Sequence, residues 1–119
     1  MPRPAPSLAR LRASLRLFAA ARDWQQFHTP KNLAMALSVE TAELLEHFQW
    51  LTAEQSMRLD AATRRAVADE LADVLLYLTR LADVLDIDLL AAGQRKLRVN
   101  AKKYPVAKAR GNARKYTEL

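Results

Sequence analysis

Apolar residues recur every three or four positions along most of this chain, which is the spacing of one face of an α-helix. The pattern covers four long segments, at about residues 7–22, 30–50, 60–85 and 88–104. Their apolar stripes contain Leu8, Leu11, Leu15 and Phe18; Leu33, Leu37, Leu44 and Phe48; Val67, Leu71, Val74, Leu75, Leu78 and Leu85; and Leu89, Leu90 and Leu97. No stretch alternates with a period of two for long enough to form a strand. The pattern predicts an all-α fold, most simply a four-helix bundle.

Polar residues at the segment boundaries support these helices. Thr29 followed by Pro30 predicts the start of the second helix, because proline suits the first helical position. Thr52 and Gln55 have the spacing of a capping box and predict a short helical turn. Asp60 is expected to cap the third long helix.

The length of 119 residues suits a single domain over residues 1–119. We expect an N-terminal tail at residues 1–6 and a basic, extended or poorly ordered C-terminal arm at residues 106–119. The first 22 residues contain five arginines, two serines and no acid, which is also typical of a mitochondrial transit peptide. We favour a tail followed by an amphipathic helix, because the apolar pattern continues into DWQQFH without a break.

Composition excludes several classes of protein. The chain has no cysteine, so disulfides and thiolate metal sites are excluded, which fits a reducing cytoplasm. No apolar run approaches the ~20 residues needed to span a bilayer, and we expect no membrane association.

The net charge of +6 is uneven: residues 40–88 hold eleven acids and four bases, whereas residues 95–115 hold nine bases and no acid. This asymmetry suggests a metal region beside one that attracts phosphate.

Two pairs of acids lack the basic neighbours that helical acids usually have. Glu40 and Glu43 lie side by side on the second helix, and Glu70 and Asp73 lie side by side on the third. A solvated charged face is the ordinary explanation of such acids, but it normally places Lys or Arg four residues away. The residues at those positions here are Leu44, His47, Val74 and Tyr77. On neighbouring helices the two pairs would bring four carboxylates together, which favours a hard cation such as Mg²⁺ or Mn²⁺ among them.

A di-iron helical bundle is the obvious rival, since it also places acids between helices. It needs a Glu-x-x-His motif on two helices. The two histidines of this chain are His28 and His47, and neither follows a glutamate by three residues. The sequence therefore argues against di-iron.

The acid pairs also carry a resemblance to a known family. Glu40-Thr-Ala-Glu43 and Glu70-Leu-Ala-Asp73 resemble the E-x-x-E and E-x-x-D motifs of the MazG-like all-α nucleoside triphosphate pyrophosphohydrolases. The flanking segments RDWQQFHTPKNLAMAL, ELLEHFQW, ELADVLLYL, DIDL and RKYTEL are similar to the dCTP pyrophosphatase branch of that family. The resemblance covers about residues 8–119.

The resemblance implies a set of site residues and an assembly. The Mg²⁺ ligands, with Mn²⁺ as a substitute, are Glu40, Glu43, Glu70 and Asp73. Independently of the resemblance, we add Glu46 to these four as a candidate catalytic carboxylate. The substrate-binding group is Trp24, His28, Trp50, Tyr77, Lys96 and Asn100. The family also implies a homotetramer, a dimer of dimers with sites lined by more than one chain, and the amount of apolar surface on the first and third helices independently favours a homo-oligomer.

Several of these assignments have structural alternatives. Trp24 and Trp50 could be ordinary core aromatics, and His28 could serve a purely structural hydrogen bond. Glu46 could support the metal ligands, act as a base for water, or simply be solvated. Some family members have a histidine nine residues before the loop tryptophan, where this chain has Leu15. That departure affects the expected base preference.

The function implied is hydrolysis of a nucleoside triphosphate to the monophosphate and diphosphate, with dCTP or modified pyrimidine deoxynucleotides as substrate, for sanitation of the nucleotide pool in the cytoplasm. A nucleic-acid-binding module that uses the basic arm is the alternative. A purely structural helical adaptor is a third. Both alternatives leave the acid pairs unexplained, so we do not expect nucleic acid to be the partner.

Overall fold

A computed structural model describes residues 2–119 as a set of helices. The helices in this range are α1 (Leu8–Ala21), α2 (Pro30–Glu46), α3 (Ala53–Ser56), α4 (Ala61–Val84), α5 (Leu89–Lys103) and α6 (Val106–Ala109), with 3₁₀ turns at Gln25–Phe27 and Tyr116–Glu118. No strand occurs within residues 2–119. The all-α prediction is confirmed, and all four predicted long helices are present. The predicted tail begins at Met1, outside the described residues; residues 2–6 carry no helix.

Side-chain caps begin the helices where the sequence predicted them. The oxygen of each capping residue accepts a hydrogen bond from a backbone N–H three residues later, which satisfies a donor that the first helical turn leaves unpaired. These caps are Ser7, Thr29, Thr52, Asp60 and Asp88. Thr52 and Gln55 form the complete capping box. The helix starts are therefore fixed by local sequence.

Helix α2 ends earlier than the apolar pattern predicted, at Glu46 rather than near Trp50. Phe48 N–H donates to the Leu45 carbonyl at 2.9 Å, a hydrogen bond between residues three apart rather than the four of an α-helix. Tighter turns therefore replace the α-helix after Glu46. The Thr52 cap has extended backbone angles, so the chain must leave the helix before it.

The described chain divides into two compact units, one ending at Asp86 and one spanning Ile87–Leu119. In the first unit α4 packs against both α2 and α1. Leu33 of α2 is the largest fully buried side chain in the described range, at 1% exposure. Ala19, Val67 and Ala82 complete the buried apolar set there.

The leucine face of α4 differs from the expected core. Val67 is buried as predicted, but Leu71, Leu75, Leu78 and Leu85 are each more than a third exposed in the single chain. Besides Val67, the buried residues of α4 are Thr79, Arg80 and Ala82. The packing of α1 and α2 on α4 leaves these leucines partly exposed in the single chain.

The second unit contains α5, α6 and the C-terminal arm. The arm was expected to be extended or poorly ordered, but it contains two short helical turns. Tyr116 packs edge-on against Tyr104 with ring centroids 5.9 Å apart, and Lys103 Nζ lies 4.7 Å from the Tyr116 ring centroid. These aromatic and cation–π contacts hold the arm to the end of α5. No helix within residues 2–119 has the length and apolar character needed to cross a bilayer.

The burial of Leu33 predicts its effect on stability. Leu33→Ala should lower the free energy of unfolding by about 2–5 kcal/mol, because it removes buried apolar atoms and leaves a cavity. The measurement is urea unfolding at fixed protein concentration. Leu45→Ala on the same helix is the control, since Leu45 is 59% exposed in the single chain. A loss below about 1 kcal/mol for Leu33→Ala would contradict its place in the core.

Candidate active site

Three carboxylates from two packed helices meet in the first unit. Glu40 and Glu43 come from α2, where their spacing of three places them on one face, and Glu70 comes from α4. One oxygen of each lies within 4.8 Å of the others, and all three residues are half-buried. We refer to Glu40, Glu43 and Glu70 as the acidic cluster. The sequence predicted that the two helices would bring these acids together, and they do.

The electrostatics of the acidic cluster disfavour full ionisation. Burial raises the pKa of Glu40 from its ordinary 4.5 to about 7, with further contributions from a hydrogen bond to Glu43 and from the charges of Glu43, Asp73 and Glu70. Burial also raises the pKa of Glu70, followed by the charge of Glu43. Loss of water and like charges both oppose ionisation, so the cluster holds a proton readily in the absence of a cation.

Two oxygens of the acidic cluster have no hydrogen-bond partner. Glu40 Oε2 and Glu70 Oε2 are both buried and unpaired. Within residues 2–119, no lysine, arginine or histidine forms a salt bridge with any of the three carboxylates. Leaving such oxygens unpaired in a folded protein is costly. An oxygen-only set of carboxylates fits a hard divalent cation of the Mg²⁺ or Mn²⁺ type.

Asp73, the fourth predicted ligand, does not belong to this closest group of oxygens. Its charge nevertheless raises the pKa of both Glu40 and Glu70, so it lies within electrostatic reach of the acidic cluster. Asp73 also lines a neighbouring cavity of about 210 Å³. It therefore connects the carboxylates with that cavity.

The cavity collects most of the predicted substrate-binding residues of the first unit. Its walls come from α1, the segment before α2, and α4. The lining residues are Leu15, Phe18, Ala19, Trp24, His28, Asp73, Leu76, Tyr77 and Arg80. Trp24, His28 and Tyr77 thus lie together as expected. Leu15, the position at which this chain departs from some family members, also forms part of the wall.

A hydrogen-bonded end of α1 places Trp24. Asp23 adopts left-handed backbone angles with φ of 52° and its N–H donates to the Ala20 carbonyl, while Trp24 N–H donates to the Ala19 carbonyl at 2.9 Å. This is a Schellman motif, in which aspartate occupies the position usually held by glycine. The Trp24 ring then packs edge-on against Phe18 and His28, with centroids 5.7 and 6.2 Å away. Trp24 is 43% exposed, so it is not an ordinary core aromatic in the single chain.

The sequence analysis missed Arg80, a buried arginine in the wall of the cavity. Its side chain is 10% exposed, its Nε donates to Nδ1 of His28 at 3.0 Å, and its Nη1 lies 3.5 Å from Asp83 Oδ2. The available signal was an arginine inside the apolar run YLTRLADV, with an aspartate three residues later. Charged residues are rarely buried unless they are paired.

The remaining predicted site residues lie elsewhere. Trp50 is 86% exposed in the turns after α2 and does not line the cavity. Glu46 is exposed at the last position of α2 and lies outside the acidic cluster. Lys96 and Asn100 belong to α5 in the second unit. A larger cavity of about 450 Å³, with His47 and Arg58 in its walls, contains none of the predicted site residues.

The first unit thus places carboxylates from two packed helices beside an aromatic cavity, an arrangement suited to holding a cation next to a flat ligand. A model of the MazG-like family matches residues 35–119. The chain therefore belongs to the MazG-like family.

Curated and solved relatives agree with this family. Human dCTP pyrophosphatase 1 is 44% identical over 118 residues, covering 98% of this chain and 69% of the human protein. Rat dCTP pyrophosphatase 1 is 45% identical with the same coverage. The crystal structure of a pyrophosphatase from Archaeoglobus fulgidus matches with a TM-score of 0.80 and 40% identity, covering 88% of this chain and 98% of that one. The predicted class of enzyme, a nucleotide pyrophosphohydrolase, is confirmed.

The raised pKa of Glu40 predicts how cation binding depends on pH. Below pH 7 an incoming Mg²⁺ must displace the Glu40 proton, so its affinity should rise between about pH 6 and pH 8 and then level off. Calorimetry in buffers of different ionisation enthalpy should detect proton release near pH 6.5, and Glu40→Gln should reduce that release. An affinity independent of pH across this range would contradict the assignment.

The same shift predicts the stability of the cation-free protein. A carboxyl whose pKa is higher in the folded state contributes stability that is complete below its ordinary value of 4.5. That contribution is lost as the pH rises through about 7. In the presence of a chelator, the melting temperature should therefore fall as the pH rises over this range. The fall should be smaller in Glu40→Gln.

Proposed function

We propose that this enzyme is an Mg²⁺-dependent nucleoside triphosphate pyrophosphohydrolase that acts on dCTP or modified pyrimidine deoxynucleotides. It hydrolyses (d)NTP to (d)NMP and diphosphate. The observation that carries the proposal is the pair of buried, unpartnered oxygens on Glu40 and Glu70, next to a cavity lined by Trp24 and Tyr77. The dCTP pyrophosphatases among its relatives support the choice of base.

The acidic cluster holds the cation in this proposal. Glu40, Glu43 and Glu70 supply the oxygens that already lie together, and Asp73 completes the ligand set from the side of the cavity. The bound cation would neutralise phosphate oxygens and lower the pKa of bound water. Mn²⁺ fits the same ligands.

The cavity holds the base and sugar. Flat aromatic side chains stack on a nucleobase, an interaction worth about 1–3 kcal/mol per base. Trp24 and Tyr77 line the cavity, which supports this role for them, and His28 would provide a polar contact. Trp50 lies outside this cavity, so its predicted role requires a contact that the single chain does not provide.

The other catalytic roles are part of the same proposal. A carboxylate accepts the proton of the attacking water, and Glu46 at the exposed end of α2 is the candidate outside the ligand set. Lys96 and Asn100 of α5 hold the phosphates, on a helix whose last turn carries Lys102 and Lys103. Fixed positive charge would stabilise the departing diphosphate.

The biological setting proposed for this reaction is sanitation of the nucleotide pool in the cytoplasm. The absence of cysteine fits a reducing compartment. Hydrolysis to the monophosphate would remove an unwanted nucleotide before a polymerase uses it. DNA binding by the basic arm remains the alternative, and it gives the acidic cluster no role.

We also propose that the enzyme is a homotetramer. The exposed leucines of α4 (Leu71, Leu75, Leu78 and Leu85) form a stripe, because their spacing follows the helical repeat. A small domain seldom leaves such an apolar surface in water. Another copy of the chain is the natural cover for it, and sites lined by two chains would give Trp50 or the basic arm a role.

The test of function is a panel of deoxynucleoside triphosphates with Mg²⁺, analysed for diphosphate and orthophosphate. We expect diphosphate and dCMP from dCTP, and a loss of turnover of about a hundredfold or more in Asp73→Asn, since a charge-stabilising group is removed. Asp69→Asn is the matched control, because Asp69 is exposed one turn earlier on α4. Release of orthophosphate, or near-normal turnover in Asp73→Asn, would contradict the proposal. Response to DNA alone would favour the alternative.

Light scattering tests the assembly. The wild-type chain should have about four times the 13.4 kDa mass of one chain. Leu75→Glu should reduce that mass, because it places a charge within the leucine stripe, whereas Arg65→Glu at an exposed position of α4 should not. A fully active wild-type protein with the mass of one chain would rule the tetramer out.

A further inference from the structure

Arg80 is paired on two sides inside the first unit. Its Nε donates to His28 Nδ1 at 3.0 Å, and its Nη1 lies 3.5 Å from Asp83 Oδ2. A buried guanidinium needs such partners, because each unpaired N–H would cost free energy. Two of its donor groups therefore have fixed directions, one toward a ring nitrogen and one toward a carboxylate.

Asp83 is itself held in place by a second arginine. Arg16 of α1 donates from Nε and Nη2 to the two oxygens of Asp83, at 2.7 and 2.5 Å. The hydrogen bond from Arg16 is the main reason that the pKa of Asp83 is lowered, so this carboxylate stays charged. The chain of contacts Arg16–Asp83–Arg80–His28 joins α1, α4 and the segment before α2.

The contact with Arg80 decides which nitrogen of His28 carries a proton. An arginine Nε–H can only donate, so Nδ1 of His28 must be unprotonated and act as the acceptor. The neutral ring then carries its hydrogen on Nε2. Burial and the charge of Arg80 both lower the pKa of His28, which favours the neutral ring. The nitrogen left for a ligand is therefore a donor.

Within residues 2–119, no side chain other than Arg80 forms a hydrogen bond with the His28 ring. In the cavity that His28 lines, α1 contributes only the apolar residues Leu15, Phe18 and Ala19. The charged groups in its walls are Asp73 and Arg80, both from α4. Of these, Arg80 makes the hydrogen bond to the ring.

We propose that Arg80 is a positioning residue that fixes His28 as the Nε2–H tautomer and so gives the cavity one oriented donor for an acceptor atom of the bound nucleotide. The recognition step rests on the proposed function, whereas the tautomer does not. A histidine without such a partner exchanges tautomers and titrates near its ordinary pKa of about 6.5, so its donor would be neither fixed nor always present. Asp83 and Arg16 maintain the direction of Arg80.

The first experiment is long-range ¹⁵N NMR of the histidine rings in the full chain without nucleotide. Only His28 and His47 contribute signals, and His47→Gln assigns them. We expect wild-type His28 to be the Nε2–H tautomer throughout pH 6–8, and Arg80→Met to show mixed tautomers with protonation nearer pH 6.5. A wild-type His28 protonated on Nδ1 at pH 7 would overturn the proposal.

The second experiment measures KM and kcat for dCTP with Mg²⁺. Arg80→Met should raise KM about three- to tenfold, the net effect of one hydrogen bond, with a smaller change in kcat. Arg80→Lys, which keeps a donor, should lie between Arg80→Met and wild type. Arg65→Met, at an exposed position of α4, should leave both constants unchanged.

A double-mutant cycle separates positioning from general structural support. Arg80→Met should have no further effect on KM in the His28→Ala background, since it acts through His28. The same rise in KM in both backgrounds, or an unchanged KM despite the loss of the fixed tautomer, would overturn the proposal. Asp83→Asn is the second variant if Arg80→Met does not fold. If no nucleotide is hydrolysed, the proposed function fails, and the NMR result still decides the tautomer.

Discussion

Repulsion among the carboxylates of α2 and α4 is the constraint on which the site depends. Glu40, Glu43 and Glu70 are brought within 4.8 Å of one another by helices that pack through apolar residues such as Leu33 and Val67. The packing energy holds the acids together, and burial removes the water that would screen their charges. Such a cluster becomes favourable when a proton or a cation is shared among the oxygens. The cluster therefore lowers the stability of the cation-free fold, and binding of a cation would restore it.

The two polar networks of the first unit have opposite roles. The acidic cluster leaves Glu40 Oε2 and Glu70 Oε2 unpaired, which makes it receptive to a ligand. The Arg16–Asp83–Arg80–His28 network is paired along its length, which makes it rigid. Asp73 lies in the wall of the same cavity as His28 while its charge acts on the cluster. The cavity therefore lies between two kinds of charged group. The carboxylates near Asp73 can gain or lose a proton, whereas the charges of the Arg16–Asp83–Arg80–His28 network are already paired.

The exposed apolar face of α4 shows what helical periodicity cannot predict. The spacing of Leu71, Leu75 and Leu78 identifies an apolar face correctly, but it does not identify what covers that face. Within residues 2–119 the packing of α1 and α2 leaves these leucines more than a third exposed, whereas Thr79 and Arg80 of the same helix are buried. A polar pair such as Arg80 and Asp83 can be buried there because each compensates the other.

The sequence by itself determined the features that depend on neighbours within a few residues. The side chains of Thr29, Thr52 and Asp60 cap helices by accepting a hydrogen bond from the backbone N–H three residues later. The spacing of Glu40 and Glu43 places both on one side of α2. Only the tertiary structure decided the contacts between distant residues: Glu70 beside the α2 acids, and Arg80 bonded to His28, 52 positions earlier. It also left Trp50 outside the cavity that Trp24 lines. The physical reason is that helix geometry fixes positions along one element, whereas side-chain packing between elements fixes which faces meet.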